Sequence, residues 1–363
     1  MESNSFLIKP HERFESLDAF KGLLMIIIIL YHVMIAPFWE GDSLFLRVYN
    51  RFIGFSYSDD GANFAISLFF MISGFTTSHY FQYNVHSKQD TISFLKKRLA
   101  KLYPPFLITS IIMLILMPKL FDSFTLTPLD VVGCINILNC GWFYDTPCYN
   151  FPTWFVSILL LCYTLYALYE SLLKSNPKYY YIAVAATILL GAFLVNKNYK
   201  LPFLCYRNGL GYLNFFIGVI LYKMLAAIND RKYSLPLQVV SVLLIVLIYT
   251  AKHYSDYSYF NKFRDCIYGF AICPAFLILV LLNSGIRYVL RFPLFKYLGK
   301  MSSLAFFLHM PVVYIYGLRP ANIKVGNNYD FVVYLIVLYA ICSVFYYLLL
   351  FLRKKQLHTR LQK

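Results

Sequence analysis

Ten long apolar stretches divide the chain, and each is long enough to cross the roughly 30 Å hydrocarbon core of a bilayer. A segment inside a bilayer must satisfy its own backbone hydrogen bonds, so stretches of this length are expected to be helices. The sequence therefore predicts an all-α fold, a polytopic membrane helix bundle of about ten transmembrane helices that forms one domain over residues 1–363. The predicted spans are 17–38, 62–83, 104–121, 153–173, 179–195, 203–226, 235–251, 266–283, 298–317 and 330–352.

The basic residues are distributed unevenly between the two sides of this bundle. With the N-terminal lead (1–16) inside, ten spans place both termini in the cytoplasm, including the basic tail (353–363). The cytoplasmic segments then hold 22 of the 33 Lys and Arg residues. This is the positive-inside bias of multi-pass proteins, and it favours the inner (cytoplasmic) cell membrane as the location. We therefore interpret the net charge of +16 as a topology signal that also favours anionic lipid, and not as a sign of nucleic-acid binding.

The first stretch carries ionisable residues at helical spacing. Lys21 and His32 are eleven residues apart, which brings both side chains to nearly the same helix face, about 16 Å apart along the axis. Asp18 lies on that face too, within pairing reach of Lys21. Ionisable groups are costly in hydrocarbon, so their presence in a span indicates a functional site. We expect a charged group at a membrane surface and a proton-handling group, the candidate catalytic residue His32, deeper inside.

Small and hydroxyl-bearing residues interrupt the second stretch at Ser73 and Gly74. Such residues usually allow close contact between helices. They would also let a ligand, or the first helix, approach the backbone. A serine nucleophile at Ser73 with His32 as its base is a further alternative, although no elbow-type motif surrounds Ser73.

A basic segment leads into the third stretch from the cytoplasmic side and contains Lys97, Arg98 and Lys101. Arg98 and Lys101 are three residues apart and share a helix face. The proline pair at 104–105 is expected to end or kink this short helix. By itself the segment is typical of a juxtamembrane helix that binds lipid headgroups. Together with Lys21 at the same surface, its cations would suit a phosphate-rich ligand.

A second histidine, His309, lies in the ninth stretch, two residues before Pro311. A proline inside a membrane helix frees backbone carbonyls, here close to the imidazole. A lone buried histidine more often orients or packs than contacts a substrate. Both roles therefore stay open for His309.

The connection between the third and fourth stretches lies on the predicted outer side and ends at Trp154. This tryptophan is typical of an interfacial anchor, with stacking on a sugar as the alternative. Cys134, Cys140 and Cys148 lie in the same connection, where an oxidising compartment would allow two of them to pair. The eight cysteines show no metal-ligand spacing, so we predict no metal site.

Five motifs, in this order, resemble those of the acyltransferase type three family, over residues 13 to 315. They are Arg13 to Gly22 with His32, Phe69 to Phe75, Phe94 with Arg98 and Lys101 before Pro104, Trp154, and Leu308 to Pro311. The family usually has arginine where this chain has Lys21 and Lys101. Both differences keep the positive charge but lose bidentate hydrogen bonding.

The resemblance implies a membrane O-acyltransferase that moves an acyl group, acetyl by default, from cytoplasmic acyl-CoA to a hydroxyl of a cell-surface carbohydrate or its lipid-linked precursor. Acyl-CoA is then a co-substrate, and no cofactor is bound. His32 would act as general base, a role that contributes about 10²–10⁴-fold. The candidate residues for binding CoA and the acceptor are Asp18, Lys21, Ser73, Lys97, Arg98, Lys101, Trp154 and His309.

Three alternatives remain at this stage. An acyl-histidine intermediate is the alternative to direct transfer. A phospholipid hydroxyl is an acceptor within the same reaction class. A transporter or flippase for a glycolipid or polyol is the alternative function, because ten spans with buried ionisable groups also suit a secondary transporter. No internal repeat is evident, which counts against transport.

Overall fold

The protein is almost entirely helical in a computed structural model, which describes residues 8, 14–36, 60–120, 125–143, 149–197, 199–254, 257–282, 284–318 and 328–361. The helices are α1 Glu15–Met34, α2 Asp60–Asn84, α3 Lys88–Leu120, α4 Pro128–Ile135, α5 Trp154–Leu172, α6 Pro177–Leu194, α7 Tyr206–Ile228, α8 Ser234–Tyr254, α9 Tyr257–Ile267, α10 Cys273–Leu281, α11 Gly285–Val289, α12 Pro293–Gly317 and α13 Asn328–Leu361. Short 3₁₀ turns at Phe151–Thr153 and Arg231–Tyr233 precede α5 and α8, and a π-helical turn at Tyr268–Ile272 joins α9 to α10. Two short antiparallel strands, β1 Lys200–Leu201 and β2 Leu204–Cys205, precede α7.

The prediction of an all-α bundle with ten membrane spans is confirmed. Ten helical segments of the described chain are long and apolar enough to cross a membrane, and they follow the order of the ten apolar stretches. One of these spans, Lys262–Leu281, is built from α9, the π-helical turn and α10 together. The chain is therefore a multi-pass membrane protein, and the cytoplasmic placement of its termini stays a prediction.

Of the two outcomes expected at prolines 104 and 105, an end of the basic helix is wrong, because α3 continues through both of them and is 33 residues long. A kink at these prolines stays a prediction. Each proline lacks an N–H, so the carbonyls four residues earlier, at Ala100 and Lys101, lose their helical donors. Both residues are exposed at the surface, where water or lipid headgroups can bond those carbonyls. At about 50 Å, α3 is longer than the hydrocarbon core is thick. Residues 97–101, which we call the basic turn, are therefore continuous with the span and extend it beyond the hydrocarbon core.

The last helix is longer than predicted as well. Residues 353–361 of the predicted tail continue α13, which runs for 34 residues, Asn328–Leu361. A helix of that length reaches about 51 Å and so also exceeds the hydrocarbon thickness.

Helices α2 and α7 form the centre of the bundle. A Cβ added to Gly74 of α2 would overlap the backbone carbonyl of Phe215, and one added to Gly218 of α7 would overlap that of Met71. The two glycines therefore allow the two backbones to touch, as small residues do between membrane helices. Buried side chains of α2 and α7 contribute to hydrophobic clusters on both sides of this pair.

A second close crossing joins α1 to α12. A Cβ on Gly22 would lie 2.5 Å from the backbone nitrogen of Gly299, and a Cβ on Gly299 would overlap the backbone of Asp18. An ion pair of 3.1 Å between Glu15 and Lys296 joins the same two helices one to two turns away. This crossing fixes α1 against α12, so that residues further along each helix face one another.

Candidate functional site

A cavity of about 420 Å³ lies at the end of the bundle where α1 ends and α7 begins. We call it the far-end cavity. Its volume is within the range of small-molecule sites, about 300–1,000 Å³. Its lining consists of Ile28, Tyr31, His32, Ala62, Asn63, Ile66, Phe151, Pro152, Trp154, Phe155, Val195, Tyr206, Arg207, Lys262, Arg264, Asp265 and Phe306. Residues from six helices and one 3₁₀ turn thus surround a space beside the candidate base.

His32 and His309, which lie on two different spans, contact each other at this cavity. His32 is 4% exposed, so its imidazole points into the bundle and away from lipid. Its Nδ1 lies 3.3 Å from Nε2 of His309, which is fully buried. Since His309 is not part of the cavity lining in the described chain, it lies behind His32 as seen from the cavity. The crossing of α1 and α12 thus pairs two residues that are 277 positions apart in sequence.

Backbone carbonyls determine which nitrogen of each neutral ring carries the proton. Nδ1 of His309 lies 2.7 Å from the Phe306 carbonyl oxygen, and a carbonyl only accepts, so this nitrogen is the N–H donor. Nδ1 of His32 lies 2.9 Å from the Ile28 carbonyl and is an N–H donor for the same reason. Nε2 of His309 is then a lone-pair acceptor that faces the His32 N–H. His32 is left with a basic Nε2 and a ring held from behind.

Pro311 has the effect on α12 that the sequence indicated. It removes the helical donor to the Phe307 carbonyl, and the side-chain amide of Asn150 donates to that oxygen instead, at 3.2 Å. The same amide lies 2.9 Å from Oγ1 of Thr109 in α3. The Tyr334 hydroxyl donates to the His309 carbonyl at 3.0 Å. Polar groups from outside α12 therefore support the turn that holds His309.

Trp154 lies in the wall of the far-end cavity. At 7% exposure it is buried among aromatic rings, so a role as a lipid-facing anchor does not fit its position. The guanidinium of Arg207 lies 5.6 Å from its ring and 5.6 Å from the ring of Phe151. Phe155 and Phe306 extend this aromatic wall, with their ring centroids 5.6 Å apart. Such a wall can stack on a sugar ring or a planar group.

A polar cluster in the far-end cavity was not found from the sequence. The buried carboxylate of Asp265 accepts hydrogen bonds from the Tyr206 hydroxyl at 2.7 Å and from Asn63 at 3.3 Å, and pairs with Arg264 at 3.3 Å. Asn63 also donates to the Tyr206 hydroxyl at 2.8 Å. The sequence signal that could have indicated this cluster is the presence of an Asp and several cations at the ends of apolar stretches. In the sequence alone, the cations on the outer side fit the topology pattern and do not indicate a cluster.

Lys21 and Asp18 form the expected pair, with 3.1 Å between Nζ and Oδ1. Both side chains remain partly exposed, at 26% and 40%. The far-end cavity does not reach them, because the described lining begins on α1 at Ile28. Met25 lies between Lys21 and His32 on the same stripe and is fully buried. The cation and the imidazole therefore share a helix face but are separated by packed side chains.

The basic turn of α3 separates into one packed and two exposed cations. Arg98 is half-buried, with its guanidinium 5.0 Å from the ring centre of Phe94 and 5.2 Å from that of Tyr163. Lys97 and Lys101 are exposed. Arg98 is thus held in place by two aromatic rings before any ligand arrives.

Ser73 is half-buried on α2, outside the described lining of the far-end cavity. Its carbonyl accepts a hydrogen bond from the Thr76 hydroxyl at 3.3 Å. The neighbouring Gly74 contacts α7, while Phe75 contacts Phe14, the residue that precedes α1, with ring centroids 5.5 Å apart. These contacts indicate helix packing at this motif.

Two of the three cysteines considered for a disulfide are now located. Cys134 and Cys140 are both buried thiols, so they are not joined to each other. Cys148 lies outside the described residues.

Comparison with protein families gives a match to a family model described as an acyltransferase domain, over residues 14–349. No curated protein and no solved structure matches the chain. The matched range begins just before α1 and ends in α13, so it covers nine spans completely and most of the tenth.

Proposed function

Since the chain belongs to the acyltransferase type three family, and is therefore a membrane acyltransferase, we propose that it is an O-acyltransferase of the cytoplasmic membrane. It moves an acyl group, most simply acetyl, from cytoplasmic acyl-CoA to a hydroxyl of a cell-surface carbohydrate or its lipid-linked precursor. The family match favours this activity over transport of a glycolipid or polyol. The observation that carries the proposal is the histidine pair at the far-end cavity.

His32 acts as general base in this mechanism. Its Nε2 accepts the proton of the acceptor hydroxyl while the hydroxyl oxygen attacks the thioester carbonyl. The carbon–sulfur bond then breaks, and the imidazolium returns the proton to the departing CoA thiolate. Support comes from the tautomer that the Ile28 carbonyl imposes, which leaves Nε2 basic. In the acyl-histidine alternative the same nitrogen attacks the thioester first.

His309 acts as a positioning residue. Its Nε2 accepts from the His32 Nδ1–H across 3.3 Å, a hydrogen that is shared with the Ile28 carbonyl, and this contact keeps the His32 ring oriented. Its own Nδ1–H is directed to backbone carbonyls of α12. A proton acceptor behind a catalytic imidazole is the same arrangement that a carboxylate provides in a catalytic triad.

The donor binds at the opposite end of the bundle in this proposal, where α1 begins. Lys21, Lys97, Arg98 and Lys101 hold the CoA phosphates, and Asp18 keeps the Lys21 ammonium in place through their 3.1 Å pair. The pantetheine arm then follows α1 towards His32. Because the buried Met25 lies on that path, the arm must displace its side chain. Methionine is flexible enough to change rotamer in this way.

The donor half of the proposal is tested with the purified full-length protein in detergent. CoA and acetyl-CoA should raise its melting temperature, whereas a free polyol or simple ion should not. Arg98→Gln should weaken that stabilisation and raise the KM for acetyl-CoA about tenfold or more, the cost of losing one charged hydrogen bond. Lys119→Gln is the matched control, because it removes one exposed cation from the other end of the same helix. Equal CoA affinity in both variants would make the basic turn a lipid-binding element.

The acceptor half is tested in cells. Mass analysis of surface glycans, with and without the gene, should show an ester that is lost on deletion. The mass difference identifies the acyl group, and its position identifies the acceptor. Unchanged glycans together with an altered phospholipid would move the acceptor to lipid.

A further inference from the structure

Asn63 borders the far-end cavity from the first turn of α2. The nitrogen of its side-chain amide donates to the Tyr206 hydroxyl at 2.8 Å and to the Asp265 carboxylate at 3.3 Å. Tyr206 is the first residue of α7, and Asp265 belongs to α9, so this one amide joins the ends of three helices. Both N–H groups of Asn63 are therefore used inside the protein.

The two partners of Asn63 determine which way round its amide lies. A carboxylate oxygen can only accept a hydrogen bond, so the Asn63 atom beside Asp265 must be the nitrogen. The Tyr206 hydroxyl donates its hydrogen to Asp265 at 2.7 Å, so towards Asn63 it can only accept. Two contacts thus impose the same orientation on an amide whose two ends are nearly identical in shape.

This orientation leaves the amide oxygen of Asn63 for a ligand. Among the described residues no group donates to Oδ1, whose own amide nitrogen makes both hydrogen bonds of the side chain. The oxygen is also absent from the fully buried polar atoms that lack a partner, so it is accessible at a residue that borders the cavity. An amide oxygen accepts hydrogen bonds and donates none. The cavity therefore contains a fixed acceptor in addition to His32.

The chemistry around this oxygen indicates the kind of group that it binds. An amide oxygen next to a carboxylate suits a hydroxyl donor and disfavours a carboxylate or phosphate oxygen, which can only accept. Small-molecule sites typically combine an apolar or aromatic wall with a few polar groups that fix the orientation of the ligand. The far-end cavity has both, because the aromatic wall that contains Trp154 borders the same space. A polyhydroxylated ring fits this combination.

We propose that Asn63 determines the specificity for the acceptor. Its Oδ1 accepts a hydrogen bond from a second hydroxyl of the sugar, while His32 takes the proton of the hydroxyl that is acylated. Asp265 and Tyr206 are positioning residues that hold the amide. This inference rests on the proposed function, because it assigns the substrate class of the same site: a sugar with at least two free hydroxyl groups on one ring, and not an alcohol with one.

The test measures binding and transfer separately on the full-length protein in detergent. The probes are methyl β-glucoside and methyl β-galactoside, each with its monodeoxy analogues, which lack one hydroxyl apiece. Calorimetry gives the Kd of each probe, and mass spectrometry follows acetyl transfer from acetyl-CoA and locates the ester. One analogue that lacks a hydroxyl other than the acylated one should bind about 5- to 150-fold more weakly than its parent, because it leaves Oδ1 of Asn63 without a donor.

Variants assign this discrimination to Asn63. In Asn63→Leu the parent glycoside and that analogue should bind equally, which is the signature of a direct contact in a double-mutant cycle. Asp265→Asn keeps the size of the side chain, but its amide nitrogen can donate to Asn63, so the orientation is no longer imposed and the discrimination should decrease. Asn84→Leu is the matched control, because Asn84 is exposed at the other end of the same helix. Melting temperature checks that each variant is folded.

No binding of either parent glycoside, equal Kd values for a parent and all its analogues, or the same discrimination in Asn63→Leu as in Asn84→Leu would overturn the inference. Unchanged discrimination in Asp265→Asn would overturn the positioning role of Asp265. Discrimination that depends on Asn63, without acyl transfer to any probe or cellular acceptor, would support the hydroxyl site and count against the proposed function. Acyl transfer without this discrimination would do the reverse.

Discussion

Replacing His309 tests whether His32 and His309 have different roles in the reaction. In the proposed mechanism, His32 takes the proton, and His309 only orients the ring through the 3.3 Å contact. His309→Leu removes that acceptor at nearly constant volume. His309→Gln can keep an amide oxygen near the position of Nε2 and should restore much of the lost rate.

The size of the effect follows from the contacts of His32. One hydrogen bond between neutral groups contributes about 0.5–1.5 kcal/mol net. Its loss therefore corresponds to about a 2- to 13-fold decrease in kcat. The decrease stays small because the Ile28 carbonyl, 2.9 Å from Nδ1, still imposes the same tautomer in the variant. Loss of the general base itself would cost about 10²–10⁴-fold.

The assay compares kcat and KM of the two variants with the wild type, using acetyl-CoA and the acceptor identified from the glycan analysis. Melting temperature and elution volume in detergent check that each variant is folded. We expect a lower kcat with little change in either KM, and partial recovery in His309→Gln. A loss of 100-fold or more in a folded His309→Leu protein, not restored by Gln, would make His309 the base and refute the assignment of roles.

Two further predictions concern the packing that builds the site. Gly74→Ala should destabilise the protein by about 1–3 kcal/mol, because its Cβ would overlap the Phe215 backbone; Gly133→Ala, with nothing within 4 Å, should leave the melting temperature nearly unchanged, and equal shifts would contradict the close helix contact. Asn150→Leu should cost about 1–3 kcal/mol by leaving the Phe307 carbonyl without its donor, and an unchanged melting temperature would show that this bond contributes little.

The sequence predicted the fold because its signals are local. Hydrophobic length alone identifies a membrane span, and the ten spans were placed correctly in order. The interior position of His32 was predictable for the same reason, since an ionisable side chain in a span is expected to face the bundle. The effect of Pro311 was also local, because it depends only on the missing N–H.

The remaining features depend on contacts between distant residues. Nothing in the sequence pairs His32 with His309, because that contact results from the crossing at Gly22 and Gly299. The Asp265 cluster likewise joins three separate helices. In the sequence, each of its residues looks like an ordinary polar residue at the end of a span. The wrong part of the prediction for prolines 104 and 105, that the helix ends there, came from a local rule. The loss of two hydrogen bonds is tolerable because the carbonyls concerned belong to exposed residues.

Acyl transfer by a His32→Gln variant tests the central claim most directly. The glutamine amide can still donate a hydrogen bond but supplies no basic nitrogen, so binding of CoA and acceptor should persist. We predict a decrease in kcat of about 10²–10⁴-fold in a folded protein with the melting temperature of the wild type. Transfer at the wild-type rate would show that the reaction needs no base at this position, and would contradict the account.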